Sequence, residues 1–110
     1  MAYLFHITEQ ESWLQAQDRG VYTAPSLQTE GFIHLSGEHQ VIQTANRFYR
    51  GQSGLVVLEI EPSCLTSTLQ YDDVLDHGVF PHLYGELNLD AVIAVRTLNV
   101  KDDGSFSSWS

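Results

Sequence analysis

The sequence predicts an α+β domain built on two packed, mostly antiparallel sheets with two or more short helices. Two segments carry that prediction: "LVVLEIE" at 55–61 and "LDAVIAV" at 89–95 are the densest apolar runs in the chain. Both are short and rich in β-branched residues, the composition of core strands. Shorter strand-like pieces flank them, and only two stretches show helical spacing. That is neither a regular βα alternation nor an all-β pattern. The 110 residues suit one domain, placed at 1–100, with 101–110 as a C-terminal tail.

The elements follow in order. "YLFHIT" (3–8) has strand composition. Thr8 then opens "TEQE", the pattern of a capping box with Glu11 as partner. A helix is expected from about Glu9 to Arg19, with Trp13 and Leu14 facing inward and Gly20 ending it. "VYTAPSLQTE" reads as irregular, broken at Pro25. "GFIHLS" (31–36) is the second strand. Ser36 is placed to cap a helix through "EHQVIQTANRFY", where Val41, Ala45 and Phe48 fall on one face. Gly51 to Gly54 turns the chain into "LVVLEIE", which Pro62 closes. "STLQYDD" is a weaker strand. "LDAVIAVRTLNV" is the last strong strand, its near-continuous apolar centre suggesting burial on both faces. "KDDGSFSSWS" reads as a frayed tail or a marginal edge hairpin.

Composition narrows the function classes. Fourteen Asp and Glu against five Lys and Arg give a net charge of −9. Long nucleic acid is therefore not an expected partner, because phosphate neutralisation needs clustered cations. A small phosphate-bearing ligand needs only one or two donors. Arg47 and Arg50 are the closest pair of cations, one helical turn apart. No signal-like or membrane-spanning run is present. The single cysteine, Cys64, suits a reducing cytoplasm and reads as a buried structural thiol, with a catalytic thiol as the alternative.

The unusual feature is histidine in apolar surroundings. "YLFHIT", "GFIHLS" and "FPHLYGEL" each carry one, and the third also carries Glu86. A lone strand histidine is ordinarily a hydrogen-bonded core imidazole. Three such segments argue differently, since each unpaired buried polar group costs about 1–3 kcal/mol. Convergence on one cleft would let them satisfy one another and bind a ligand. Metal spacing is not recognisable: His34 and His39 straddle a strand-to-helix break, and His77 and His82 bracket Gly78 and Pro81. Asp72, Asp73 and Asp76 could add oxygen ligands near His77, but a solvated acidic turn explains them as well. No metal is expected.

In this order the segments resemble the ADP-ribosyltransferase superfamily. "YLFHIT" is similar to its first-strand His-Gly-Thr signature, and "GFIHLS" with "QTANRF" to its second strand and following helix. "GLVVLEIEP" is similar to the next core strand, and "FPHLYGELNLDAVIAV" to the late strand region that holds the superfamily's glutamate. The whole set also resembles a small bacterial family catalogued as domain of unknown function 952, through the early His, "EGFIHLS", "AN" and "FPHLYG". The resemblance implies an ADP-ribosyltransferase-like fold and NAD as cofactor or substrate. It implies catalytic roles for His6, His34 (Ile33 if the register slips by one) and Glu86. His6 would hold the ribose, His34 would face the nicotinamide ring, and Glu86 would accept from the ribose 2′-hydroxyl and stabilise charge developing at the glycosidic bond. His6, Ile7, Thr8, Ser36, His82 and Tyr84 are the implied NAD-binding set. Ile7 stands where the superfamily has glycine, and its side chain is expected to narrow the pocket. The implied reaction cleaves the nicotinamide–ribose bond and transfers ADP-ribose to an acceptor that the sequence does not name. The alternatives are a non-catalytic module binding a nucleotide or phosphorylated metabolite, and an interaction domain without a ligand.

Overall fold

The computed structural model describes residues 2–110. Strand β1 (Leu4–Glu9) leads into helix α1 (Gln10–Arg19), followed by β2 (Val21–Tyr22), α2 (Pro25–Thr29), β3 (Ile33–His34) and α3 (Val41–Phe48). The remainder is β4 (Leu55–Ile60), β5 (Thr68–Val74), β6 (Gly78–Tyr84), β7 (Leu87–Asn88), β8 (Val92–Val100) and β9 (Phe106–Trp109). All pairings are antiparallel. They give a four-stranded sheet in the order β1-β4-β8-β9, a three-stranded sheet β3-β6-β5 and a small β2-β7 ladder. The α+β class thus stands, and β4 and β8 occupy the middle of the larger sheet.

Side-chain alternation along β1 and β4 divides the core in two. Leu4, Val56, Leu58 and Ile60 face one side and pack with Ala16 of α1, Tyr22, Ile33, Leu83 and Leu87. Phe5, Ile7, Leu55 and Val57 face the other and pack with Val41 and Ala45 of α3, Leu98 and Phe106. The two larger sheets meet where Phe5 of β1 and Ser36, just after β3, exchange backbone hydrogen bonds of 2.8 and 2.7 Å. Residues of β1, β3, β5 and β6 line a cleft beside that contact.

Several local expectations are corrected. Thr8 does not cap α1; Glu9 holds that position with no side-chain hydrogen bond, because Thr8 is still in the strand and its hydroxyl meets Tyr22. Gly20 does end α1, at φ +84° where a side chain would be strained. Trp13 is half-buried, but Leu14 is exposed and Ala16 is the inward residue. Pro25 starts α2 instead of breaking the chain, since the first helical turn needs no donor from it. The α3 region begins with a 3-10 turn, Glu38–Gln40, capped by Gly37, with Gln40 Oε1 accepting from Gly37 N. Ser36 Oγ instead sits 3.3 Å from Thr44 Oγ1. Phe48 points to solvent while Val41 and Ala45 face the core. Only one face of β8 is covered, leaving Ile93 and Val95 about half exposed. Cys64 is exposed, not buried. Residues 106–109 form an edge hairpin strand with β8, anchored by buried Phe106.

Candidate functional site: a histidine-lined cleft between the sheets

A cleft of about 990 Å³, a size typical of small-molecule sites, is lined by residues of both larger sheets. Its floor is β1. His6 is buried there, on the strand face it shares with Leu4 and Thr8. His6 Nδ1 lies 2.6 Å from the His34 carbonyl oxygen, which can only accept, so Nδ1 carries the proton. Burial lowers the His6 pKa from its ordinary 6.5 to about 4, with the bond to the His34 carbonyl partly opposing that fall. The ring is therefore neutral near pH 7 and Nε2 is an acceptor. Tyr22 OH, 2.8 Å away, has one proton and gives it to Nε2. Thr8 Oγ1, 2.9 Å from the same phenol oxygen, must then donate to it. The result is a directed chain from Thr8 to Tyr22 to His6 to the His34 carbonyl. Burial also pushes the Tyr22 phenol up to about 12, so it keeps its proton.

One wall comes from the three-stranded sheet. His34 pairs with His82 and Ile33 with Leu83 across β3 and β6. Alternation sends Ile33 and Leu83 fully into the core, and His34, His82 and Tyr84 to the cleft. The register question is settled by that packing: His34, not Ile33, borders the cleft. Phe32 stacks on His82 with ring centroids 4.0 Å apart at 16°, and meets His34 edge-on at 4.9 Å. Tyr84 closes this aromatic group, tilted 5.3 Å from Phe32.

Carboxylates hold the imidazoles. Glu30 Oε2 is 2.9 Å from His34 Nε2, and Asp72 Oδ2 is 2.8 Å from His82 Nδ1. Tyr84 OH donates to the same Asp72 oxygen. Hydrogen bonds from Tyr84 and then His82 lower the Asp72 pKa, and the same carboxylate raises that of Tyr84. Asp72 is thus ionised and Tyr84 neutral at ordinary pH. At another part of the lining, Arg47 lies 4.8 Å over the ring of exposed Phe48 and is the cationic side chain of the cleft.

Of the residues expected from sequence, His6, Ile7, Thr8, His34, Ser36, His82 and Tyr84 all border this cleft. The Ile7 side chain is packed in the core beside α3 with Phe5, Val41 and Ala45, so it does not fill the space. Glu86 is the exception. It is exposed at the corner between β6 and β7, outside the cleft lining. Gly85, at φ +153°, turns the chain there, and Ser67 Oγ fastens the corner by donating to the Glu86 carbonyl at 2.7 Å. The expected trio of His6, His34 and Glu86 is therefore a pair of histidines.

Sequence reasoning did not place Tyr22, Phe32, Glu30, Asp72 and Arg47 in the site. Phe32 had a signal, since it precedes His34 by two residues and so shares its strand face. The sequence puts Asp72 in the weak strand "STLQYDD", which β5 bears out, but does not give its partner; the β5–β6 register sets it opposite Phe80 and diagonal to His82. Among the described residues no three His, Cys, Asp or Glu side chains gather in a geometry that would hold a metal ion. No helix is long and apolar enough to cross a membrane.

These features define a class: a small α+β domain with a histidine- and aromatic-lined cleft between antiparallel sheets. The chain belongs to the family described as protein of unknown function DUF952, whose model matches residues 7–95. Its fold is shared with protein CC0527 from Caulobacter crescentus. The X-ray structure of that protein is 30% identical in sequence, with a TM-score of 0.87 over 96% of this chain and 93% of that one. The solution NMR structure of CC0527 gives 31% identity and a TM-score of 0.81 over 94% and 90% of the two chains. No curated protein matches the sequence.

Proposed function

We propose that this chain is an NAD-binding domain with the ADP-ribosyltransferase arrangement of sheets, and that it cleaves the nicotinamide–ribose bond and passes ADP-ribose to an acceptor. The observation that carries the reading is the meeting of His6 and His34. They lie 28 residues apart, on different sheets, joined through the His34 carbonyl at the floor of one cleft. The superfamily resemblance gives both positions NAD-handling roles. With both ring nitrogens engaged by the protein, however, His6 does not hydrogen-bond a ribose as expected and instead fixes the floor on which the ligand rests.

The surrounding chemistry fits a dinucleotide. Phe32 and the His34 and His82 imidazoles offer flat faces to a planar ring. The Ser36 and Thr44 hydroxyls border the cleft and suit ribose hydroxyls. Arg47 offers a fork of donors to a phosphate. The acidic side chains of the lining, Glu9, Glu30, Asp72 and Asp73, favour positive charge. That charge rests on the nicotinamide ring in the bound state and moves to the ribose as the bond breaks. Fixed His6 holds the floor in one tautomer, so little reorganisation accompanies the reaction.

A second reading, a nucleotide-binding module without turnover, is favoured by the place of Glu86. The carboxylate that the resemblance assigns to the transition state stands outside the cleft. One experiment separates the two readings: purified protein is incubated with NAD while binding is followed by calorimetry and nicotinamide by chromatography. The enzymatic reading requires nicotinamide release above buffer, reduced together with affinity in His6→Ala. Affinity without release leaves the binding module, and neither result leaves no role for NAD.

A further inference from the structure

We propose that Asp72 and His82 form a proton-accepting dyad, and that the acceptor it serves is a hydroxyl, either water or an alcohol. The proposal deepens the NAD-cleaving reading and rests on it for the identity of the reaction.

The geometry is that of an oriented base. Asp72 is ionised and accepts only, so the proton shared with His82 over 2.8 Å sits on Nδ1. In a neutral ring Nε2 is then the free lone pair. It makes no hydrogen bond among the described residues, yet no polar side-chain atom there is both buried and unpaired, so Nε2 reaches solvent. His82 is itself nearly buried and borders the cleft, so the solvent it meets is the cleft's. The ring cannot swing. Phe32 covers one face at 4.0 Å, His34 meets it at 5.3 Å and 85°, and Asp72 is fixed in turn by Tyr84. A carboxylate that orients an imidazole and compensates its positive charge, with the far nitrogen open to substrate, is the arrangement needed for general base catalysis. His6 cannot serve, because both its nitrogens are engaged inside the protein. His34 is paired with Glu30 in a similar way, but those two side chains are 52% and 49% exposed, so solvent competes for the pair and the ring is not fixed as His82 is.

A hydroxyl is the acceptor such a base suits. It holds its proton at neutral pH and must lose it as it attacks, whereas a carboxylate acceptor needs no base and would be repelled by Glu30, Asp72 and Asp73. In the step, His82 Nε2 takes the hydroxyl proton and the oxygen lone pair forms a bond to the anomeric carbon of the ribose. The carbon–nitrogen bond breaks with its electron pair passing to the nicotinamide nitrogen, which becomes neutral. The imidazolium is balanced by Asp72 until the proton leaves to water.

Two measurements test the dyad, only one of which needs turnover. The first is the tautomer of His82, read from long-range proton–nitrogen correlations of protein carrying 15N-histidine. We expect the Nδ1–H form in wild type and conversion to Nε2–H in Asp72→Ala. A wild-type ring protonated at Nε2 overturns the proposal. The second is nicotinamide release at saturating NAD in His82→Gln, expected to fall about 10²–10⁴-fold, a loss of kcat beyond any change in NAD affinity. Retention of the wild-type rate in this variant also overturns the proposal, while the NAD reading survives. Should wild type release no nicotinamide but show the Asp72-dependent Nδ1–H tautomer, the NAD reading fails and the dyad stands as a base for a different substrate.

Discussion

Tyr22→Phe removes one hydroxyl and adds nothing, so it isolates the polar chain beneath the cleft. That hydroxyl serves His6 Nε2 at 2.8 Å and Thr8 Oγ1 at 2.9 Å, and all three residues are buried, at 2%, 7% and 7% exposure. Its loss strands an imidazole acceptor and a threonine hydroxyl at once. Each stranded group costs about 1–3 kcal/mol, partly offset because the phenol itself no longer needs desolvating. A net loss of about 2–4 kcal/mol is expected, a large part of the roughly 5–15 kcal/mol typical of a domain. In Tm this is a fall of about 8–16 °C for a chain of this size. Urea unfolding of wild type, Tyr22→Phe, Thr8→Val and the double variant gives both the loss and the coupling. The single losses should not add, because removing Thr8 first leaves less for Tyr22→Phe to strand. A loss below about 0.5 kcal/mol, or strict additivity, would refute the directed chain.

Further outcomes follow from other parts of the structure. The unfolded His6 imidazole takes a proton near 6.5 but the folded one only near 4, so between these values the unfolded chain binds more protons. Stability should therefore fall by about 3 kcal/mol as pH drops from 6.5 to 4, and denaturation of His6→Gln across that window should show a flatter profile than wild type. Gly85→Ala places a methyl where Ser67 Oγ would be 2.4 Å away, at an unfavourable φ. Thermal unfolding should show a loss of about 1–3 kcal/mol. Phe32→Ala removes the ring stacked on His82. NAD affinity measured by calorimetry should fall about 5–10-fold, on the order of 1 kcal/mol for a stacking contact.

How far the sequence disclosed all this depended on the kind of signal. The β4 strand was legible because burial needs apolar density, which composition shows directly. The β8 strand was legible by its β-branched content, although Leu89–Ala91 forms a 3-10 turn ahead of it and Ile93 and Val95 stay exposed. Gly20 was legible because a left-handed helix end favours one residue type. The histidine cluster was legible as a problem, three imidazoles in apolar segments, and its solution by convergence followed from the cost of unpaired polar groups. Glu86 was misplaced because a corner at Gly85, set by one φ angle and the Ser67 contact, turns the chain away from the β6 face that carries His82 and Tyr84. Asp72 and Tyr22 were hidden because their partners lie on other strands or across a helix, and pairing register is a property of the whole fold. The outward turn of Leu14 and Phe48 was equally hidden, since helical spacing names a stripe without saying which edge of it the sheet covers.

The most direct test of NAD recognition by this cleft is a titration of 15N-histidine protein with NAD, followed through the five imidazoles. His39 lines a separate shallow hollow and His77 sits in the β5–β6 turn, so both serve as internal controls. Saturable shifts at His6, His34 and His82, with His39 and His77 unmoved, are the predicted result. No saturable shift in any imidazole, or shifts confined to His39 and His77, would contradict it.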